Sequence, residues 1–83
     1  MKQLIECVPN FSEGRNPEII KQITAEVETV EGVKLLDVDP GASTNRTVVT
    51  FVGEPQLVVE SAFRVIRKAQ ELIVFFLMIR RPP

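Results

Sequence analysis

The chain has no histidine, no tryptophan, no tyrosine and only one cysteine among its 83 residues. Without an imidazole it lacks the side chain that most often moves protons near neutral pH. A serine nucleophile would likewise have no such partner to activate it. One thiol, Cys7, allows neither an intramolecular disulfide nor a cysteine-built structural zinc site. No cation is adjacent to it in sequence, so a small buried side chain is expected rather than a reactive thiolate. With no Trp or Tyr and scattered Phe, there is no platform on which nucleobases could stack.

Charge of one sign is missing too. Ten basic residues face eleven acidic ones, and setting aside Arg80 and Arg81 leaves eight against eleven. Neither balance is the footprint of a nucleic-acid binder. The longest apolar run, Leu72 to Ile79, has eight residues, against ~20 for a membrane-spanning helix. No basic and then apolar leader precedes the first strand, so a cytoplasmic chain is expected. Asn10-Phe11-Ser12 and Asn45-Arg46-Thr47 have the form of glycosylation sequons, which matter only in a secreted protein. No glycine-rich phosphate loop occurs. Counted from Asp37, glycine falls at position five and Val48 at position twelve, which is the wrong spacing for a calcium loop. With neither imidazole nor paired thiolates, no metal is expected.

What is present reads as one small globular domain. The hydrophobic fraction is 45%, and a chain of this length sits near the lower limit for burying its own core. A first strand is expected over Gln3–Val8, stopped by Pro9, which cannot donate to a sheet. Asn16 as N-cap, Pro17 at the first position and Glu18 in the first turn predict a helix start. Ile20, Ile23, Val27 and Val30 give that helix one apolar stripe, and Gly32 is expected to end it in a left-handed cap. A second strand is expected over Val33–Asp39, turned by Pro40-Gly41, and a third over Arg46–Val52. A second helix opens at Glu54-Pro55. Its expected buried stripe is Val58, Ala62, Ile66, Ala69 and Ile73, and Glu60–Arg64 and Arg67–Glu71 form i,i+4 pairs on its wet face. The order β-α-β-β-α is an α+β, split β-α-β (ferredoxin-like) sandwich, with two helices on one face of a small sheet. It is incomplete at the C-terminus, where Val74–Ile79 reads equally as a closing strand or as more helix.

Two polar stretches stand out at strand ends, where α/β proteins tend to place their chemistry. The first is Glu6-Cys7-Val8-Pro9-Asn10-Phe11-Ser12-Glu13-Gly14-Arg15, in which Gly14 is read as supplying a positive φ. The second runs from Leu35-Leu36-Asp37-Val38-Asp39-Pro40-Gly41 through Ser43-Thr44-Asn45-Arg46-Thr47-Val48 to Thr50-Phe51-Val52-Gly53. Together, in this order and over residues 1–73, they resemble the N-terminal subdomain of the formiminotransferase family. That resemblance implies transfer of a formimidoyl group from N-formimidoyl-L-glutamate to tetrahydrofolate in histidine degradation, with tetrahydrofolate as co-substrate and no metal. It also implies a homodimer for the full-length protein. Family members continue beyond the equivalent of Leu72-Ile73 into a loop holding a catalytic histidine. Here residues 74–83 depart from that pattern, so they are read as foreign, as from a frameshift or translated adaptor. The chain is accordingly read as a fragment that is inactive by itself.

The residues carry their own chemistry beside the resemblance. Arg15 and Arg46 can each pair with a carboxylate through two parallel hydrogen bonds. Asn10 and Asn45 offer a donor and an acceptor to a pterin edge or an amidine, yet asparagine is also an ordinary turn former. Ser12 and Glu13 lie in the same loop, where local side-chain-to-backbone bonding is the plain alternative. Asp37 and Asp39, two apart on a strand, share a face. Asp39 is the candidate to orient the missing imidazole or to act in acid/base work, and the alternative is that one of the pair caps the Pro40-Gly41 turn. The competing reading of the whole is a non-catalytic split β-α-β module that binds a small molecule or a partner. A relative acting on another one-carbon donor is a third.

Overall fold

The computed structural model describes residues 3–80, with side chains described for residues 3–73. The elements are β1 (Ile5–Cys7), β2 (Asn10–Phe11), α1 (Pro17–Ala25), a 3-10 turn (Val27–Thr29), β3 (Lys34–Gly41), β4 (Arg46–Gly53) and α2 (Pro55–Arg80). All strand pairings are antiparallel and all involve β4. β3 lies on one side of it, and β1 and β2 lie on the other. The fold is the expected α+β arrangement of a small sheet and two helices.

β1 and β2 form one strand line rather than two. Cys7 stands opposite Phe51 and Asn10 opposite Val48, so a single register runs through Val8-Pro9. Pro9 removes one N–H from the ladder, but its carbonyl still accepts the N–H of Val49 at 2.9 Å. The expected stop at Pro9 is therefore an interruption, and pairing resumes as far as Phe11.

Asn16 caps α1 as expected. Its Oδ1 accepts from the N–H of Glu18 at 3.0 Å and of Ile19 at 3.4 Å. The helix ends earlier than predicted, at Ala25, and tightens into the 3-10 turn before Val30. Ile20, Ile23, Val27 and Val30 are all buried, so the stripe survives although its last two members lie outside the α-helix. Gly32 has the left-handed φ of +95°, but it serves the turn into β3 rather than the end of α1.

β3 runs through Pro40 to Gly41, which corrects the predicted turn at those two residues. Pro40 is tolerated because β3 is an edge strand that, among the described residues, bonds only to β4. The true turn is Ala42–Asn45, closed by the N–H of Asn45 on the carbonyl of Ala42 at 3.3 Å and by the Thr44 hydroxyl on the Gly41 carbonyl at 3.3 Å. Neither Asp37 nor Asp39 caps it. A bulge between Leu35 and Asp37 leaves Leu36 exposed. The N–H of Leu35 there is satisfied by the Glu28 carboxylate at 3.0 Å.

β4 alternates strictly. Thr47, Val49, Phe51 and Gly53 are buried, while Arg46 and Val48 are exposed and Thr50 and Val52 half-buried. Its buried face meets Phe11, Ile20, Ile23, Val27, Val30, Val33, Val58 and Val65 to form the core. The face of α2 that joins this core keeps Val58 of the expected stripe, with Ala62 and Ala69 packed against the core, and departs from it at Ile66. Val58 and Val65 are buried with Ser61, whereas Ile66 is 54% exposed. Ser61 is accommodated because its hydroxyl donates to the Val27 carbonyl at 2.9 Å, leaving no unmet buried group. Of the expected ion pairs, Glu60–Arg64 forms at 2.9 Å. Glu71 pairs with Lys68 at 3.1 Å instead of with Arg67. Residues 74–80 continue α2, so the closing-strand alternative does not hold for them. Residues 81–83 lie outside the described residues. Among the described residues no helix is long and apolar enough to cross a membrane.

Candidate functional site

The strand line and the β3–β4 hairpin end at the same edge of the molecule, which brings the two polar stretches together. The segment Ser12–Asn16 leaves β2 and lies across the Ala42–Asn45 turn. Gly14 sits where its backbone touches the hairpin: a Cβ there would stand 2.4 Å from the Gly41 carbonyl oxygen and 2.5 Å from the Arg46 nitrogen. Its φ is not in the left-handed region. Glycine is required by this close approach, which corrects the conformational reason expected for it.

Three side-chain bonds join the segments. Asn45, held at the left-handed φ of +53° that asparagine tolerates, accepts the Gly14 N–H on Oδ1 at 3.0 Å. The Arg15 Nε donates to the Ala42 carbonyl at 2.8 Å. The hydroxyl of Thr47, fully buried, donates to the Glu13 carbonyl oxygen. Glu13 in turn accepts the N–H groups of Arg15 at 3.0 Å and Asn16 at 2.9 Å on one carboxylate oxygen. The local bonding foreseen as the plain alternative for Glu13 is thus what this carboxylate does.

Beside this junction lies an open cleft of about 370 Å³, lined by Ser12, Glu13, Arg15, Ile19, Asn45, Leu72 and Ile73. One wall is polar and the other, from α1 and α2, is apolar. That mix suits a flat ligand with polar edges. Nε of Arg15 is taken by Ala42, but its two terminal amino groups have no partner among the described residues, so a fork of donors is left for an anion.

Three of the candidate residues lie elsewhere. Asn10 and Asp39 flank Val48 in register, on the exposed sheet face opposite the helices. Two strand spacings separate them, roughly 10 Å. Arg46 is exposed at the start of β4 on that same face, and Asp37 is exposed two residues from Asp39. Asn10 and Asn45 therefore do not share the cleft. At the sheet edge beside Asn10, between the strand line and α2, runs a smaller, mainly apolar groove of about 190 Å³ with Val65, Ile66 and Ala69. Cys7 is half-buried beside the core, and its desolvation raises the thiol pKa. No cluster of three or more metal-ligating side chains occurs among the described residues.

Reading the sequence alone passed over Thr47, Ile19 and Leu72. Thr47 carried a signal: it is the polar member of a strand face otherwise filled by Val49 and Phe51. Ile19 and Leu72 look like any other helix aliphatics, and only the meeting of α1 with α2 makes them walls.

Comparison with known proteins agrees with the motifs. Residues 4–75 match the family model described as the formiminotransferase domain, N-terminal subdomain. Over 73 residues, 88% of this chain, the sequence is 58% identical to the formimidoyltransferase-cyclodeaminase of Mus musculus and covers 14% of that protein. It is 59% identical over 73 residues, again 88% of this chain, to the formimidoyltransferase-cyclodeaminase of Sus scrofa, covering 14% of it. Across the same share of this chain it is 44% identical to the glutamate formimidoyltransferase of Streptococcus pyogenes serotype M1, covering 24% of it. The chain thus spans about a seventh to a quarter of the length of these relatives. On this match the chain belongs to the formiminotransferase family of transferases, in the region of its N-terminal subdomain.

Proposed function

We infer that this chain forms the N-terminal wall of a site where a formimidoyl group passes from N-formimidoyl-L-glutamate to tetrahydrofolate. The observation that carries this reading is the convergence of the two polar segments on one cleft that Arg15 lines, its terminal amino groups without a partner among the described residues. The reaction needs carboxylate recognition, support for a flat pterin, and proton movement as the folate nitrogen attacks the amidine carbon. Arg15 answers the first need through charge-assisted bonds. Ile19, Leu72 and the polar rim of Ser12 and Asn45 answer the second. Asn10, Asp39 and Arg46 form a separate polar group on the open sheet face, suited to a second part of the ligand pair or to orienting a catalytic group. Proton transfer falls to an imidazole outside these 83 residues, since none is present. Binding without turnover is the outcome expected of the chain alone. The family match stops at residue 75, which supports reading the remainder as outside the family pattern. A cytoplasmic homodimer is the context proposed for the full-length protein.

The test is calorimetric titration of the 83-residue chain with N-formimidoyl-L-glutamate and, separately, with 5-formyltetrahydrofolate as a stable reduced folate. Binding of either that weakens at least tenfold in Arg15→Ala supports the reading. No binding of either ligand, or binding indifferent to Arg15, sinks it.

A further inference from the structure

Arg15 recognises a carboxylate more tightly when its loop is held still, and that loop has no regular secondary structure between Ser12 and Asn16. The geometry points to Thr47, with Asn45, as the positioning residues that clasp this loop to the hairpin and so aim the Arg15 guanidinium into the cleft. The inference rests on the carboxylate reading above and names what enforces it.

The choice of residue at position 47 is informative. The helix-facing side of β4 is otherwise apolar, and valine has nearly the shape of threonine. Valine would fill the space without burying a hydroxyl, a group that is costly inside unless bonded. The Thr47 hydroxyl is bonded, and its acceptor is the Glu13 carbonyl in the loop itself, 34 residues away. Glu13 then passes the constraint on in two directions through its carboxylate, to the N–H groups of Arg15 and Asn16. Asn16 is the cap of α1, so the loop is anchored at its far end by the helix. Asn45 fixes the middle through Gly14. The Nε–Ala42 bond ties the guanidinium to the hairpin, and its terminal donors have no partner among the described residues. Each bond by itself is weak. Together they replace loop freedom with one geometry, and that pre-organisation is what improves ligand affinity.

Amide hydrogen exchange by NMR on the whole chain, paired with the N-formimidoyl-L-glutamate titration, tests the clasp. Thr47→Val is expected to speed exchange of the Gly14 amide at least tenfold. The amides of Ile23 and Phe51 in the core should be unchanged, and ligand affinity should fall about tenfold. Thr47→Ser keeps the hydroxyl and should restore both. Asn45→Gly keeps the left-handed backbone without the acceptor and should act as Thr47→Val does; it also serves if Thr47→Val does not fold. Unchanged Gly14 exchange in both variants overturns the clasp. Faster exchange with unaltered affinity overturns its positioning role and leaves the substrate reading intact. If the unsubstituted chain binds no ligand, the substrate reading falls, and the exchange data alone decide whether the clasp exists.

Discussion

At Gly14 an added methyl would meet backbone on two sides, at the Gly41 oxygen and the Arg46 nitrogen, neither able to move without distorting the hairpin. Gly14→Ala should therefore cost about 1–3 kcal/mol, read from the shift of the urea midpoint at constant slope. Cys7 offers a different test. Desolvation raises its pKa, so at pH 8 less thiolate is present than in a free cysteine, and the thiolate is the reacting form. Labelling by a thiol reagent at pH 8 should be slower than for a cysteine peptide. The gap should narrow as pH rises through the folded pKa.

Elements are held at their junctions. α1 begins where Asn16 satisfies two N–H groups, and Asn16→Ala should lose about 1 kcal/mol. α2 is tied to the 3-10 turn by Ser61 in the core and by Arg64, whose guanidinium reaches the Thr29 carbonyl and hydroxyl. Ser61→Ala would leave the Val27 carbonyl without its partner in a buried place. A loss of about 1–3 kcal/mol is expected from chemical denaturation. The exposed Glu60–Arg64 pair contributes far less, and Glu60→Gln should move the midpoint little.

Across the whole molecule, apolar surface is unevenly spread. Val59, Phe63 and Ile66 on α2, together with Leu4 and Val8 near the strand line, are more than half exposed. The strand line bonds only to β4 among the described residues, so its other edge offers unpaired backbone groups. Light scattering on heating should accordingly fall in Ile66→Lys. Because that side chain is outside the core, its midpoint should stay within about 0.5 kcal/mol of the parent.

Local signals in the sequence determined a good deal. Asn16-Pro17-Glu18 set the start of α1, because a cap acts within one turn. The alternation from Arg46 to Gly53 set β4 and its buried face, because a strand's period is written in consecutive residues. The family match rested on motifs that are themselves linear. What the sequence left open was every choice that depends on a distant neighbour. α2 is apolar around much of its circumference, and two adjacent stripes compete in it. The fold buries Val58, Ser61 and Val65, packs Ala62 and Ala69 against them, and leaves Ile66 outward, with the Val27 carbonyl satisfying the serine. Pro40-Gly41 has the chemistry of a turn, yet pairing with Thr47 and Arg46 kept it in β3 and moved the turn to Ala42–Asn45. Asn45 looked like a ligand-binding side chain, and only the arrival of Gly14 from 31 residues away shows what its oxygen holds. Propensity and pattern are properties of a few neighbouring residues. Close approach, edge position and satisfied buried groups are properties of pairs brought together by the fold, and those pairs shape the cleft.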